Sequence, residues 1–231
     1  TLTETGATNC DAALANGEVT ADVGGVTAGY TFKWVAGVDV NVAAWSPVSG
    51  STALDLSAGD TYSVKVTNNS TGCFDTESVV MSDSSALPVM NLVQIPNSIC
   101  DSVVAGIPFN GAVNGTTTYK GAAVADFSDY YFNLFAGTDT TGAPIDNIVA
   151  AAANFNELDT GFYTVRAYNT ALGCYSDPLS IEVLENFTLP VITLTEQGAT
   201  NCDPTLANGE VTADVGGTTA GYTFKWVAGV D

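Results

Sequence analysis

Residues 1–39 return almost unchanged as residues 193–231: 35 of the 39 positions are identical at an offset of 192. The four differences, Thr5 to Gln197, Ala12 to Pro204, Ala13 to Thr205 and Val26 to Thr218, are small or polar exchanges. Whatever fold the first segment takes, its copy must be able to take as well. A period this long exceeds the roughly 20 to 50 residues of a solenoid unit and suits whole domains in series. Because Asp231 matches Asp39, inside a repeat, the 231 residues are expected to be a piece of a longer array.

A second, weaker alignment lies inside the period. Leu56-Ser-Ala-Gly59-Asp-Thr-Tyr62-Ser-Val64, closing at Gly72-Cys73, parallels Leu158-Asp-Thr-Gly161-Phe-Tyr163-Thr-Val165, closing at Gly173-Cys174. Leu87-Pro88 and Leu189-Pro190 mark the boundaries, since proline lacks a backbone donor and suits a linker or edge-strand entry. The reading is therefore a first bead at 1–87, a divergent second bead at 88–189 and, from 190 to 231, the start of another first bead.

Within the beads the side-chain period is two, as in Val19, Ala21 and Val23, then Tyr30, Phe32 and Trp34, then Tyr62, Val64 and Val66. Such alternation denotes half-buried strands, and the glycine-rich breaks between them have sandwich spacing. No segment reads as a convincing helix; Ala150 to Ala153 is assigned to strand or loop because asparagines flank it. The predicted fold class is all-β, with tandem immunoglobulin-like β-sandwich domains arranged as beads in a 192-residue, two-domain period. Tyr62 and Tyr163 are the expected tyrosine corners. Trp34 and its copy Trp226 are the expected core aromatics, with Leu134 in the corresponding place of the second bead.

Twenty-five acidic residues against five basic ones, without histidine, give a formal charge of −20, which disfavours nucleic acid and anionic membrane surfaces as partners. An apolar content of 46% leaves enough hydrophobic side chains to form cores. There are five cysteines, and Cys202 copies Cys10, so its partner is expected beyond residue 231. Four cysteines allow three connectivities. The expected one is Cys10 with Cys73 and Cys100 with Cys174, one bridge per bead, implying an oxidising, extracellular or periplasmic location.

The strings Asn16-Gly-Glu-Val-Thr-Ala-Asp-Val-Gly-Gly25, Gly29-Tyr-Thr-Phe-Lys-Trp34 and Leu56 to Thr67, with the Gly72-Cys73 close, resemble the SprB-type repeat. That family occurs in giant cell-surface adhesins of Bacteroidetes, including the gliding-motility adhesin. The resemblance covers roughly residues 10 to 75 and again 202 to 231; the second bead keeps only the latter half of the pattern. It implies secretion, type IX export, and display as long surface filaments for cell adhesion or gliding motility, with no catalytic residue.

Other chemistries leave weaker traces. Enzymatic catalysis requires converging acid, base or nucleophile groups, and no such set is legible; pairs such as Asp126 with Asp129, or Asp139 with Asp146, read more simply as turn residues. No cofactor is expected. A zinc site lacks its ligands, with no histidine and no Cys-x-x-Cys pair; calcium suits the carboxylates better, with Asp39, Asn41, Asp83 and Asp101 near loops or junctions, although no ligand is assigned. Tyr119, Tyr130, Tyr131 and Tyr168 are candidates for a glycan platform. Ser102 and Thr140 lie in Bacteroidetes-like O-glycosylation signals, and Asn114 and Asn186 open N-glycosylation sequons. The expected partners are neighbouring repeats of the same polypeptide, other filament chains, and an extracellular surface or glycan. Two rival readings stand beside the adhesin: a self-assembling structural fibre and a glycan-binding module.

Overall fold

The computed structural model describes residues 1–38, 45 and 50–229. The chain divides into two compact units, Thr1–Glu185 and Asn186–Asp231. The first unit is built from strands and holds two separate hydrophobic cores.

The first core lies between two three-stranded sheets. One contains β1 (Leu2–Thr5), β2 (Gly17–Ala21) and β4 (Thr52–Leu56); the other contains β3 (Tyr30–Ala36), β5 (Thr61–Asn68) and β6 (Phe74–Val80). Neighbouring strands are antiparallel, and alternation decides which side chains enter the core. Val19 and Ala21 face inward from β2, and Phe32 and Trp34 from β3, where they meet Val64, Leu56 and Met81.

The second core repeats this order. The sheet of β7 (Val89–Ile95), β8 (Gly111–Tyr119) and β12 (Asn154–Leu158), with β9 (Ala122–Ala123) on β8, corresponds to β1, β2 and β4. Opposite it, β10 (Tyr130–Ala136) and β13 (Gly161–Asn169) correspond to β3 and β5, while β14 (Cys174–Tyr175) and β15 (Leu179–Val183) together stand for β6. The register agrees residue by residue: Trp34 faces Val64 as Leu134 faces Val165, and Ala36 faces Tyr62 as Ala136 faces Tyr163. An added strand, β11 (Asp146–Val149), pairs with β10. Residues 150–153 form the loop between β11 and β12, and Ala153 is buried there.

Where the first core has Trp34, the second has Leu134; Phe132 answers Phe32, and the lost volume is made up by Phe155 in the place of Ala53, both phenylalanines almost fully buried, with Tyr130 and Phe127 packed edge to face. Each such phenylalanine contributes about 2 kcal/mol by burial. Hydroxyls between strands are also matched. Ser63 Oγ donates to the Gly37 carbonyl and shares a hydrogen bond with Ser78, as Thr164 does with Gly137 and Ser180.

The second unit contains β16 (Ile192–Gln197) and β17 (Glu210–Val215), paired in the register of β1 and β2. Among the described residues of this unit these two strands form the one sheet. Trp226 is 58% exposed where Trp34, the expected core aromatic of the first bead, is 6% exposed.

Short helical segments occur where strands alone were expected. They are 3₁₀ turns at Ala12–Leu14 and Pro204–Leu206, and one α turn, α1, at Ser102–Ala105. An aspartate caps each one, through the Asx bonding that favours this residue at helix starts.

Gly17 and Gly111 occupy equivalent pinch points. A Cβ at Gly17 would come within 2.7 Å of the Leu56 carbonyl and 2.8 Å of Met81 Sδ, and one at Gly111 would collide with the Leu158 carbonyl and approach Val183 Cγ1 to 2.7 Å. Gly111→Ala is therefore expected to lower stability by about 1–3 kcal/mol in urea unfolding, whereas Gly142→Ala, which meets nothing within 4 Å, stays within about 0.5 kcal/mol of the parent.

Candidate functional site: the cysteine junction

The site is assembled from two loops, one from each core. The first lies between β1 and β2. Asp11 caps the 3₁₀ turn through Ala13 N–H, Asn16 Oδ1 accepts the backbone N–H groups of Thr8 and Asn9, and Asn9 donates to the Leu14 carbonyl. These local side-chain bonds fix a segment that belongs to neither helix nor sheet. The second loop connects β13 to β14, where Asn169 Oδ1 accepts Leu172 N–H and Gly173 turns the chain at φ 66°.

The two loops dock. Cys10 N–H donates to the Leu172 carbonyl at 2.9 Å, and a disulfide joins Cys10 to Cys174 with Cα atoms 5.0 Å apart. Any side chain at Gly173 would strike Asp11, so the close approach itself demands glycine. Cys174 is fully buried.

This pairing replaces the expected Cys10–Cys73 and Cys100–Cys174 bridges; Cys73, Cys100 and Cys202 are free and exposed. The reason is strand direction. The Cys10 loop adjoins the end of the first core where Gly17 pairs with Leu56 and where Ala7 bonds Ser82 and Ser84. Cys73 lies at the other end, next to Tyr30, Asn68 and Asp22. The eight residues of β5 lie between those ends, a span of roughly 26 Å, far beyond the roughly 7 Å that Cα atoms of a disulfide allow. Cys100 and Cys174 are likewise divided by the length of β13 (Gly161–Asn169). Tyr62 and Cys73 stand at opposite ends of β5, and Tyr62 bonds Ser57 at the Leu56 end, the one beside the Cys10 loop.

The other candidate residues are spread over both cores. Tyr163 Oη donates to the Asp159 carbonyl at 3.1 Å, and burial is the main cause that raises its pKa. Tyr62 Oη instead accepts Ser57 N–H at 3.0 Å. Trp34 is buried and donates Nε1–H to the Gly50 carbonyl at 3.1 Å. Ser102 begins α1, and Thr140 lies in the loop between β10 and β11; both are half-buried.

Of the tyrosines singled out for glycans, Tyr130 belongs to the core, whereas Tyr131 and Tyr168 form an outer row with Tyr175, a residue missed by the sequence reading. Ring centroids are 4.8 Å apart for Tyr131 and Tyr168 and 4.3 Å for Tyr168 and Tyr175, and the Arg166 guanidinium lies 4.0 Å over Tyr175. Cross-strand register explains the row, because Tyr131 faces Tyr168 and Tyr168 faces Tyr175. Tyr119 lies outside it, at the end of β8.

Among the described residues, no group of three or more acidic or cysteine side chains is positioned to hold a metal ion. Asp101 caps α1, and Asp83 has its pKa lowered by hydrogen bonds from Ser85, chiefly the backbone N–H. Asp126 is lowered in the same way by Ser128, and Asp139 by Thr141, chiefly its hydroxyl and then its backbone N–H, which is the chemistry of Asx turns. Asp39 and Asn41 lie outside the described residues.

No family model matches the chain, and no curated protein matches it. Among solved structures it resembles domains 7, 8 and 9 of the S-layer protein SbsC, at 12% identity and a TM-score of 0.30, over 79% of this chain and 60% of that one. At that level the likeness carries no argument about function.

Partial burial, followed by the hydrogen bond with Tyr175, pushes the Tyr131 phenol up to about 12. The folded protein therefore holds this proton more tightly than the unfolded chain, whose tyrosine titrates near 10. The stabilisation is complete below about pH 10 and is lost as pH rises towards about 12. Tyr131→Phe is expected to flatten the fall in stability across that window, as followed by urea midpoints, with the parent losing more stability than the variant.

Proposed function

We propose that the chain is a non-enzymatic segment of a large extracellular adhesin or surface filament, built from tandem immunoglobulin-like beads. One observation carries the reading: a disulfide ties together two loops that belong to different cores. A catalytic domain has no need of such a bond, whereas an extended stalk does, because it keeps successive beads in a fixed relation under load. Disulfide use favours an oxidising compartment outside the cytosol. The resemblance of the Trp34 and Tyr62 strings to SprB-type repeats supplies the adhesin reading and, with it, attachment or gliding.

The immunoglobulin-like assignment rests on the repeated two-sheet order and on Tyr163, whose hydroxyl returns to a backbone carbonyl four residues upstream in the manner of a tyrosine corner. The formal charge of −20 gives neighbouring filaments a mutual repulsion with a range of about 10 Å at moderate salt.

A second reading is favoured by the row of Tyr131, Tyr168 and Tyr175, whose flat faces and polar edges suit a sugar ring. Saturable glycan binding that disappears in Tyr168→Ala would establish it, and its absence across a glycan array would remove it.

Electron microscopy of the native, unreduced protein tests the principal reading. Thin single chains of beads repeating in pairs are expected. Thick fibres of laterally packed subunits would instead identify a self-assembling structural polymer.

A further inference from the structure

The Cys10–Cys174 contact has two halves, and the unit carries each half a second time with its partner missing. The opening loop before β2 recurs before β8. There Asp101 caps α1 as Asp11 caps its turn, Asn110 Oδ1 accepts Ser98 N–H as Asn16 accepts Thr8, and Asn110 donates to Ser98 Oγ as Asn16 donates to Thr8. Asn97 bridges Glu185 in the way that Ala7 bridges Asp83. Cys100 therefore occupies the place of Cys10.

The closing loop after β13 recurs after β5. Asn68 Oδ1 accepts Ser70 and Thr71 N–H, Gly72 turns the chain at φ 73°, and Lys65 lies over Phe74 as Arg166 lies over Tyr175. Cys73 stands where Cys174 does. The difference lies in occupancy: Gly173 is pressed against Asp11, whereas a Cβ at Gly72 would meet nothing within 4 Å.

The two unpaired halves also point apart. The bridge joins the Leu56 end of the first core to the Asn169 end of the second. Cys73 and Cys100 are consequently at the two outer ends of the pair, too far apart to bond to each other.

We propose that the joint is propagated along the array: the cysteine that opens each bead bonds the cysteine that closes the bead after it. Cys100 then takes as its partner the Gly72-Cys73 loop of the first-type bead that follows. Cys202, in a loop with the same internal bonds as that of Cys10, takes the closing cysteine of the next second-type bead. Such a joint is heterologous and does not close on itself, so it extends a line of beads indefinitely. Each bond forms by thiol–disulfide exchange. The two cysteine thiols give up two electrons and two protons to an external disulfide of the export compartment, which leaves as two thiols.

The inference rests on the tandem-bead reading, though on no adhesive role. Its test is the full 231-residue chain extended after Asp231 by a second copy of residues 40–87, with Thr71→Ser in that copy as a mass label. After oxidation by a glutathione redox couple, free thiols are alkylated and disulfide-linked peptides from cleavage before aspartate are identified by mass. Linkage of Cys100 to the labelled closing cysteine is expected, with Cys10–Cys174 retained and the original Cys73 and Cys202 alkylated. In Cys100→Ser the labelled cysteine should become alkylated. Alkylated Cys100 beside a protease-resistant added bead, or linkage of Cys100 to the original Cys73, overturns the joint. An added bead that remains protease-sensitive in both variants overturns the tandem reading and the joint together.

Discussion

The bond between Cys10 and Cys174 crosses from one hydrophobic core to another, and the mutual placement of the two cores depends on it. In the chain-entropy model a bridge over a sequence separation of 164 residues restricts the unfolded chain by about 5 kcal/mol. Each core is closed by its own pair of sheets, so in the folded protein the constraint acts mainly on the joint. The hydrogen bond from Cys10 to Leu172 and the contact of Gly173 with Asp11 align the sulfurs, which makes the bridge the outcome of docking as well as its lock.

This changes what the disulfide does under tension. A bridge inside a bead would limit how far that bead unravels. A bridge between beads leaves both cores to the packing of Phe32, Trp34 and Val64 in one and Phe132, Phe155 and Val165 in the other. In the proposed stalk it would resist bending and separation at the joint instead.

Much of this was legible in the residues. Alternation placed the strands through Val19, Phe32, Trp34 and Val64, and the parallel between Tyr62 and Tyr163 exposed the internal duplication, because inward positions on a half-buried strand admit few side-chain types. The cysteine connectivity was not obtained from spacing. Disulfide partners are chosen by which end of a sandwich each loop occupies, and that depends on strand direction rather than on distance along the chain. Tyr175 shows a similar gap: cross-strand neighbours are set by the adjoining strands, which a local string does not contain. β11 (Asp146–Val149) was missed because its polar first half, Asp146 and Asn147, disguises a short strand that pairs with β10.

The most direct test is the disulfide map of the unreduced 231-residue chain. Cleavage before aspartate separates all five cysteines, because an aspartate lies in each interval between them. A linked peptide pair containing Cys10 and Cys174, with Cys73 and Cys100 alkylated, is the predicted result. A Cys10–Cys73 pair would contradict the account, since it would return the bridge to the interior of a single bead.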